Sequence, residues 1–235
     1  MKTEPAGRLV FILTGFMMII AMACEEEDEL LHGTFTDERD GQRYKTITIG
    51  SQIWMAENLK YLPSVVGPDS GWNIMGQIRT VPFYFVYGYD GTIPEEARAT
   101  ENYRKYGVLY NWYAADSACP CGWHLPSDAE WNELRDFVFS KINHYSIGRA
   151  LKSSGGWKYH GNGTDRFGFS ALPGGHRSYF CEFSHLGEVT FFWSSTVYDY
   201  SSAYSRMMVY DYQGLYQDQG YMGLGYSVRC IKNEL

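Results

Sequence analysis

A short apolar run that ends at a cysteine sets the first limits on what this chain can fold into. The run covers residues 10–23, Lys2 and Arg8 precede it, and Cys24 follows at once. A basic start, an apolar stretch and small residues before a cleavage point are the order of a secretory signal. About 14 apolar residues are too few for a helix that crosses a hydrocarbon layer of roughly 30 Å. We therefore predict that residues 1–23 form a signal and that the rest of the chain folds outside the cytoplasm.

Cys24 has a further meaning, because it follows Ala23 and precedes an acidic run at 25–29. The segment resembles a bacterial lipoprotein signal, in which this cysteine becomes the lipidated first residue of the mature protein. An ordinary cleaved signal and an uncleaved anchor are the alternatives. We predict lipidation at Cys24, an acidic tether over 24–34, a working domain over 35–235, and a place at the outer membrane or cell surface.

The length and charge of the chain narrow the choice of partners. Roughly 200 residues remain after the signal, enough for one domain with a sizeable core. The formal net charge is −7 and the sequence contains no basic stripe, so we expect no nucleic-acid partner. Contact with a membrane is expected to depend on the lipid at Cys24.

Aromatic residues make up 17 % of the chain and are frequent after residue 180. Many of them suit the half-buried surface of a β-sheet. Rings beside carboxylates and amides are also what a surface for an extracellular glycan or protein requires. We therefore predict six candidate ligand-binding residues bordering the last strands: Tyr198, Tyr200, Tyr204, Tyr212, Tyr216 and Tyr221.

The pattern of apolar and turn residues predicts an α+β fold, with an antiparallel sheet, two or three helices and long loops. Strands are predicted at 44–49, 52–55, 191–197, 203–210 and 226–232. Helices are predicted at 106–115, 127–142 and 146–153. In the longest of them, Ser127 is the expected N-cap, with Glu130 as its capping-box partner. Residues 63–105 are predicted to be a long loop with a possible strand at 81–89 and a helical turn at 95–103.

Four cysteines besides Cys24 indicate disulfide bonds in an exported protein. A bridge between Cys119 and Cys121 is sterically poor, which leaves Cys119–Cys230 with Cys121–Cys181, or the crossed pairing. Zinc is disfavoured because Cys119 and Cys121 lack the usual two-residue spacing. We expect neither a metal nor a cofactor.

Seven ordered blocks of sequence point to a family. They are Asp40-Gly41 with Tyr44, QIWMAENL at 52–59, YGVLYNW at 106–112, CPCGWHLPSDAEW at 119–131, FGFSALPGG at 167–175, FWSST at 192–196 and SVRC at 227–230. Together they resemble the Fibrobacter succinogenes major paralogous domain over about residues 36–233. That resemblance implies a surface or secreted lipoprotein without an established biochemical role.

The same blocks resemble the fold shared by C-type lectins and the formylglycine-generating enzyme. This second resemblance implies that the two ends of the domain lie together, which favours the bridge Cys119–Cys230. The Glu-Pro-Asn and Gln-Pro-Asp triplets that hold calcium in C-type lectins are absent from this sequence. We therefore do not expect a sugar-coordinating calcium ion.

The candidates for catalysis have simpler explanations. Asp128 and Glu130 are placed to cap a helix, and His124 is interpreted as a hydrogen-bonding loop residue. Cys181 stands alone where a formylglycine-generating enzyme needs a reactive pair of cysteines. We therefore predict a binding module without enzymatic activity, for which an extracellular glycan is a candidate ligand. The alternatives are an enzyme of the formylglycine-generating type and a structural component of a surface assembly.

Overall fold

The first and last strands of the domain belong to one antiparallel sheet. The computed structural model describes residues 1, 31–67, 80–142, 146–178 and 180–233. The strands of this sheet are β1 His32–Thr36, β2 Arg43–Ile49, β3 Gln52–Met55, β6 Trp123–His124 and β12 Ile231–Lys232, and their order in the sheet is β1-β2-β3-β12-β6. Ile231 pairs with Trp54 on one side and with His124 on the other. The last strand of the domain therefore lies in the same sheet as its first three strands.

A second sheet has β10 in its centre. It contains β9 Val189–Val197, β10 Ser202–Val209 and β11 Tyr216–Tyr221, in the order β11-β10-β9. All three strands are antiparallel, and the pairing of β10 with β9 shifts register between Ala203 and Ser205. Two small ladders complete the β-structure: β4 Tyr84–Phe85 with β5 Leu109–Tyr110, and β7 His176–Arg177 with β8 Phe183–Ser184. β11 is therefore an edge strand, and it carries two of the six predicted tyrosines.

Five helices lie among the described residues. They are α1 Pro94–Ala99, α2 Glu101–Tyr106, α3 Trp112–Ala115, α4 Asp128–Lys141 and α5 Ile147–Leu151. The predicted capping box of α4 is confirmed: the Ser127 side chain accepts from the Glu130 amide at 3.2 Å, and the Glu130 carboxylate accepts from the Ser127 amide at 2.7 Å. Mixed helices and antiparallel sheets confirm the α+β class.

The apolar face of α4 packs between the two sheets. Trp131, Leu134 and Val138 are buried, and the ring of Trp131 lies 4.8 Å from that of Trp54 and 5.7 Å from that of Phe192. This aromatic cluster connects β3 of the first sheet to β9 of the second through the helix. The packing fixes the N-terminal end of α4 beside the β9–β10–β11 sheet.

A buried arginine ties the C-terminal segment to the rest of the fold. Arg229 is fully buried and donates hydrogen bonds to the Asn58 side-chain oxygen at 3.1 Å and to the Ser170 carbonyl at 3.0 Å. It also donates to the Phe169 carbonyl and lies over the Phe169 ring. Because the guanidinium finds several acceptors, its burial does not require a carboxylate partner.

The region predicted as a long loop contains regular structure where a strand at 81–89 and a helical turn at 95–103 were predicted, but the strand is shorter and the turn is replaced by two short helices. β4, α1 and α2 fall within or across 63–105, while residues 68–79 lie outside the described part of the chain. The helix predicted at 106–115 is wrong in its first half. Gly107 at φ 77° ends α2, and Leu109–Tyr110 then pairs with β4. The predicted strand at 226–232 is also shorter, since β12 covers only Ile231–Lys232.

The N-terminal boundary also differs from the prediction. β1 begins at His32, within the stretch 24–34 that we predicted as a tether. Cys24 and residues 2–23 of the predicted signal lie outside the described residues. Among the residues that the structure does describe, no helix has both the length and the apolar character needed to span a bilayer.

One of the two predicted disulfides is present. Cys119 and Cys230 are bonded, with their Cα atoms 5.9 Å apart. The second bridge is absent, since Cys121 and Cys181 both have free thiols. Cys121 is exposed in the turn before β6, whereas Cys181 lies in the turn between β7 and β8, where its amide donates to Ser178. The two thiols belong to separate surface turns, each closed by its own backbone hydrogen bonds.

Candidate functional site

Four of the six predicted tyrosines lie at one end of the β9–β10–β11 sheet. We call this group the tyrosine patch; it consists of Tyr198, Tyr200, Tyr204 and Tyr221. The exposed fractions of Tyr198, Tyr200 and Tyr221 are 47 %, 89 % and 53 %, and Tyr204 is half-buried. Tyr198 packs edge-on against Tyr204, with ring centroids 5.3 Å apart.

The register of β10 with β11 explains why these rings come together. Tyr204 pairs with Gln219, and Ser202 pairs with Tyr221. Side chains of paired residues point to the same face of a sheet, as do residues two apart along a strand. Tyr204, Gln219 and Tyr221 therefore share one face, and Tyr198 reaches it through its contact with Tyr204.

The turn that carries Tyr198 and Tyr200 is held by local hydrogen bonds. The amides of Tyr198 and Asp199 both donate to the Ser202 carbonyl, at 2.9 and 3.1 Å. The Asp199 carboxylate accepts from the amide of Ser201 at 2.8 Å and from its hydroxyl at 3.0 Å. The hydrogen bond from the Ser201 amide lowers the pKa of Asp199, so this carboxylate is a stable anion beside the exposed rings.

The two other predicted tyrosines do not belong to this patch. Tyr212 and Tyr216 stack on each other, with centroids 4.2 Å apart. Tyr216 pairs with Met207, five residues along β10 from Ser202, a distance of about 17 Å at roughly 3.3 Å per residue. An odd number of residues also places Tyr216 on the opposite face of the sheet. The prediction of one six-tyrosine surface is therefore wrong.

A buried ion pair supports the sheet beside the tyrosine patch. Arg206 is 1 % exposed, and its guanidinium lies 2.6 Å from the Asp128 carboxylate at the start of α4. Gln217 and Asn132 also donate to Asp128, at 2.8 and 3.0 Å. Burial alone would raise the pKa of Asp128, but the hydrogen bonds from Arg206 and Gln217 lower it. Asp128 thus joins α4 to β10 and β11, a role beyond the helix capping that we predicted.

His124 and Glu130 form a close pair with a structural role. His124 Nε2 lies 2.6 Å from Glu130 Oε1, and His124 Nδ1 lies 2.7 Å from the side-chain oxygen of Asn233. The second Glu130 oxygen accepts from the amide and hydroxyl of Ser127. Both ring nitrogens and both carboxylate oxygens are thereby used. The pair links β6 and the C-terminal segment to the capped end of α4.

A second histidine cluster lies at the β7–β8 hairpin. The rings of His176 and His185 stack with centroids 5.3 Å apart, and His176 packs against Phe191. Burial, and then the neighbouring His185, lower the pKa of His176 to about 4. The Nδ1 atom of His176 has no hydrogen-bond partner among the described residues. His176 therefore stays neutral near pH 7.

A polar pocket lies where α5, residues 159–162 and the β10–β11 turn meet. It has a volume of about 380 Å³, and Arg149, Lys152 and His160 are among its lining residues. The sequence beside this pocket is Asn-Gly-Thr-Asp at 162–165, and these residue types predict only a turn. No periodic pattern marks the position of Arg149 or Lys152 beside it.

The described ranges contain no group of three or more His, Cys, Asp or Glu side chains placed to hold a metal ion. Asp165, which lies in the predicted turn, uses its carboxylate to accept from the Ser170 amide at 2.7 Å and from the Ser170 hydroxyl. The Asp165 carboxylate therefore has a structural role in this turn.

Comparison with known proteins gives one family. The family model described as the Fibrobacter succinogenes major domain matches residues 47–232. This match begins within β2 and extends to the end of β12, so it includes the five helices of the described residues, the tyrosine patch and the polar pocket. No curated protein and no solved structure matches the chain.

Proposed function

Since this chain belongs to the Fibrobacter succinogenes major domain family, we propose that it is a lipid-anchored protein of the outer membrane or cell surface whose domain binds an extracellular glycan. The proposal includes lipidation at Cys24 and a lectin-like arrangement of the domain. It assigns no catalytic reaction to the chain.

The observation that carries the proposal is the exposure of neighbouring rings in the tyrosine patch. Tyr200 is 89 % exposed, and Tyr198 and Tyr221 are each about half exposed. Contiguous exposed apolar surface on a soluble domain commonly marks an interaction site. A tyrosine ring offers a flat apolar face and a hydroxyl, which together match the C–H face and the hydroxyl groups of a sugar ring.

Polar groups suited to sugar hydroxyls lie beside the rings. Gln219 is exposed on the same face as Tyr204, and no partner among the described residues uses its side-chain amide. Asp199 adds a carboxylate at the turn. An amide donates and accepts, whereas a carboxylate only accepts, so the patch provides both kinds of partner for hydroxyl groups.

The patch is also held in place before any ligand arrives. Hydrogen bonds to Ser202 and Asp199 fix the turn, and the pairing of β10 with β11 positions Tyr204 and Tyr221. The backbone that carries the rings is therefore ordered, and a segment with an ordered backbone loses less conformational entropy on binding. This arrangement favours recognition of a repeated, rigid surface such as a polysaccharide.

Two features support the extracellular location and the lectin-like arrangement. The disulfide Cys119–Cys230 is typical of proteins that fold in an oxidising compartment. The pairing of β12 with both β3 and β6 brings the two ends of the domain together, as the lectin-like resemblance implies. Replacing Cys24 with serine should abolish lipidation, measured as the loss of the acyl mass by intact-protein mass spectrometry. An unlipidated native protein would contradict the anchor.

Binding of the purified full-length protein in detergent to a broad panel of immobilised polysaccharides tests the function. We expect retention on at least one polysaccharide and competition by its soluble oligosaccharide. Absence of binding across neutral, amino and acidic polysaccharides would contradict the glycan proposal. Binding to a protein partner alone would replace the glycan with a different class of ligand.

A further inference from the structure

The polar pocket carries an excess of positive charge that the fold does not use in an ion pair. Lys152 is 2 % exposed, and its amine donates to the carbonyl oxygens of Val209 at 3.0 Å and Tyr212 at 3.1 Å. Its nitrogen also lies 4.9 Å from the centre of the Trp157 ring. Burial lowers the pKa of Lys152 to about 8, so the amine is mostly protonated at pH 7, and the carbonyl oxygens and the aromatic face accommodate this cation beneath the pocket.

Arg149 adds a second cation at the wall of the same pocket. Its side chain is exposed, and among the described residues no hydrogen-bond or ion-pair partner contacts its guanidinium. A guanidinium presents two parallel donors that match the geometry of a carboxylate. One acid side chain, Asp211, also lines the pocket, so the cationic side chains outnumber the anionic one.

An aromatic wall completes the pocket. Tyr159 is 69 % exposed, and its ring packs 5.1 Å from that of Tyr210. Tyr159 and His160 both adopt the left-handed backbone conformation, at φ 51° and 63°, which is strained for a residue other than glycine. Such strain persists where the surrounding structure imposes it.

The surroundings of this loop are indeed restrictive. A Cβ atom on Gly161 would lie 2.6 Å from the Tyr210 carbonyl oxygen, so the loop packs directly on the β10–β11 turn. The Asn162 side-chain oxygen accepts from the Trp157 amide at 3.0 Å. The side-chain NH₂ of Asn162 has no partner among the described residues and is available to the pocket.

We propose that this pocket binds one carboxylate-bearing sugar ring, such as a hexuronate. Arg149 pairs with the carboxylate, and Lys152 adds a favourable field from below. The exposed face of Tyr159 covers the C–H face of the ring, while Asn162 and Asp211 meet its hydroxyl groups. A volume of about 380 Å³ lies within the range of roughly 300–1,000 Å³ of small-molecule pockets. This site is separate from the tyrosine patch and does not depend on the function proposed for the patch.

Calorimetric titration of the full-length protein with glucuronate, glucose and inorganic phosphate tests the proposal. We expect glucuronate to bind at least tenfold more tightly than glucose or phosphate. Arg149→Gln should weaken glucuronate binding about tenfold or more, because it removes a charged bidentate partner. Tyr159→Ala should also weaken it, without a change in the far-ultraviolet circular dichroism spectrum.

Arg166→Gln is the matched control, because Arg166 is an exposed arginine outside this pocket. We expect it to bind glucuronate as the wild type does. The proposal is overturned if glucuronate does not bind at millimolar concentration, if Arg149→Gln leaves its affinity unchanged, or if phosphate binds as tightly. Loss of glucuronate binding in Tyr200→Ala, with Arg149→Gln unaffected, would overturn this inference and support binding by the tyrosine patch.

Discussion

The ring of Tyr198 packs edge-on against the ring of Tyr204, with their centroids 5.3 Å apart and their planes at 79°. Tyr198 lies in the β9–β10 turn and Tyr204 on β10, so the contact joins the turn to the sheet. It shows that one exposed ring of this turn, Tyr198, packs against a ring of the sheet. A binding surface at this end of the sheet requires that the turn keep this position relative to β10.

The disulfide should stabilise the domain strongly. Cys119 and Cys230 are 111 residues apart in sequence, and removal of a native disulfide from a small exported domain typically costs about 2–5 kcal/mol. We expect the double variant Cys119→Ser/Cys230→Ser to lose a free energy of unfolding of that size in urea denaturation. Cys121→Ser/Cys181→Ser is the control and should change it by less than about 0.5 kcal/mol. A thiol count of zero in the denatured, unreduced protein would contradict the free state of Cys121 and Cys181.

Acid should destabilise the domain partly through His176. The pKa of His176 is about 4 in the folded state, against 6.5 as the ordinary value. Between these two pH values this histidine is protonated in the unfolded chain and neutral in the folded chain. Stability from this residue is therefore fully present above about pH 6.5 and falls as the pH drops toward 4, by at most about 3 kcal/mol. His176→Phe should reduce the difference in unfolding free energy between pH 7 and pH 4.5. His32→Gln, at an exposed histidine, should not; an equal reduction in both variants would contradict the prediction.

The Asp128–Arg206 pair should be costly to break. Removing the carboxylate leaves a guanidinium that is 1 % exposed without its anionic partner, which typically costs about 3–5 kcal/mol. We expect Asp128→Ala to lower the unfolding free energy by this amount, and Asp128→Asn to lower it less because the amide still accepts a hydrogen bond. The control is Asp136→Ala on the same helix, where the carboxylate is 65 % exposed. Equal effects of Asp128→Ala and Asp136→Ala would count against the pair.

Gly148 should resist substitution although it lies in a helix. A Cβ atom there would lie 2.0 Å from the Gly214 carbonyl oxygen, so α5 and the β10–β11 turn would have to separate. Helix propensity alone favours alanine by about 1 kcal/mol, yet we expect Gly148→Ala to destabilise by about 1–3 kcal/mol through overpacking. Gly155→Ala, where no atom lies within 4 Å of the new Cβ, should be neutral or slightly stabilising. A stabilising Gly148→Ala, measured by thermal unfolding, would show that the two backbones are not in contact.

Local signals in the sequence predicted α4 correctly. Elements whose conformation depends on pairing with distant residues were predicted less well. The capping box of Ser127 and Glu130 acts within one turn of helix, so residue types three apart suffice to identify it. The stretch 106–115 has helical spacing, but Gly107 interrupts it and β4 recruits Leu109 and Tyr110 into a ladder. No pattern within that stretch shows that a strand 25 residues earlier will pair with it.

The same contrast between local signals and long-range pairing applies to the candidate site. The sequence identifies the six tyrosines as candidates because polar Asp and Gln residues lie between them. Their separation depends on the register of β10 with β11, which places Tyr221 opposite Ser202 and Tyr216 opposite Met207. The prediction of a second disulfide was wrong because it also depended on long-range positions. The sequence does not reveal that Cys121 and Cys181 lie in separate surface turns.

The affinity of the tyrosine patch for a glycan tests the central claim most directly. The measurement compares the dissociation constants of the wild type and of Tyr198→Ala/Tyr200→Ala for the polysaccharide that the wild type binds. Tyr216→Ala is the control, because Tyr216 lies at the opposite end and on the opposite face of the β10–β11 hairpin. Tyrosine is enriched among the few interface residues whose truncation costs about 2 kcal/mol or more of binding free energy, so we predict a dissociation constant raised about tenfold or more in the double variant. Its melting temperature should stay unchanged, and Tyr216→Ala should bind as the wild type does. Unchanged affinity in the folded double variant would contradict the claim that this patch is the binding surface.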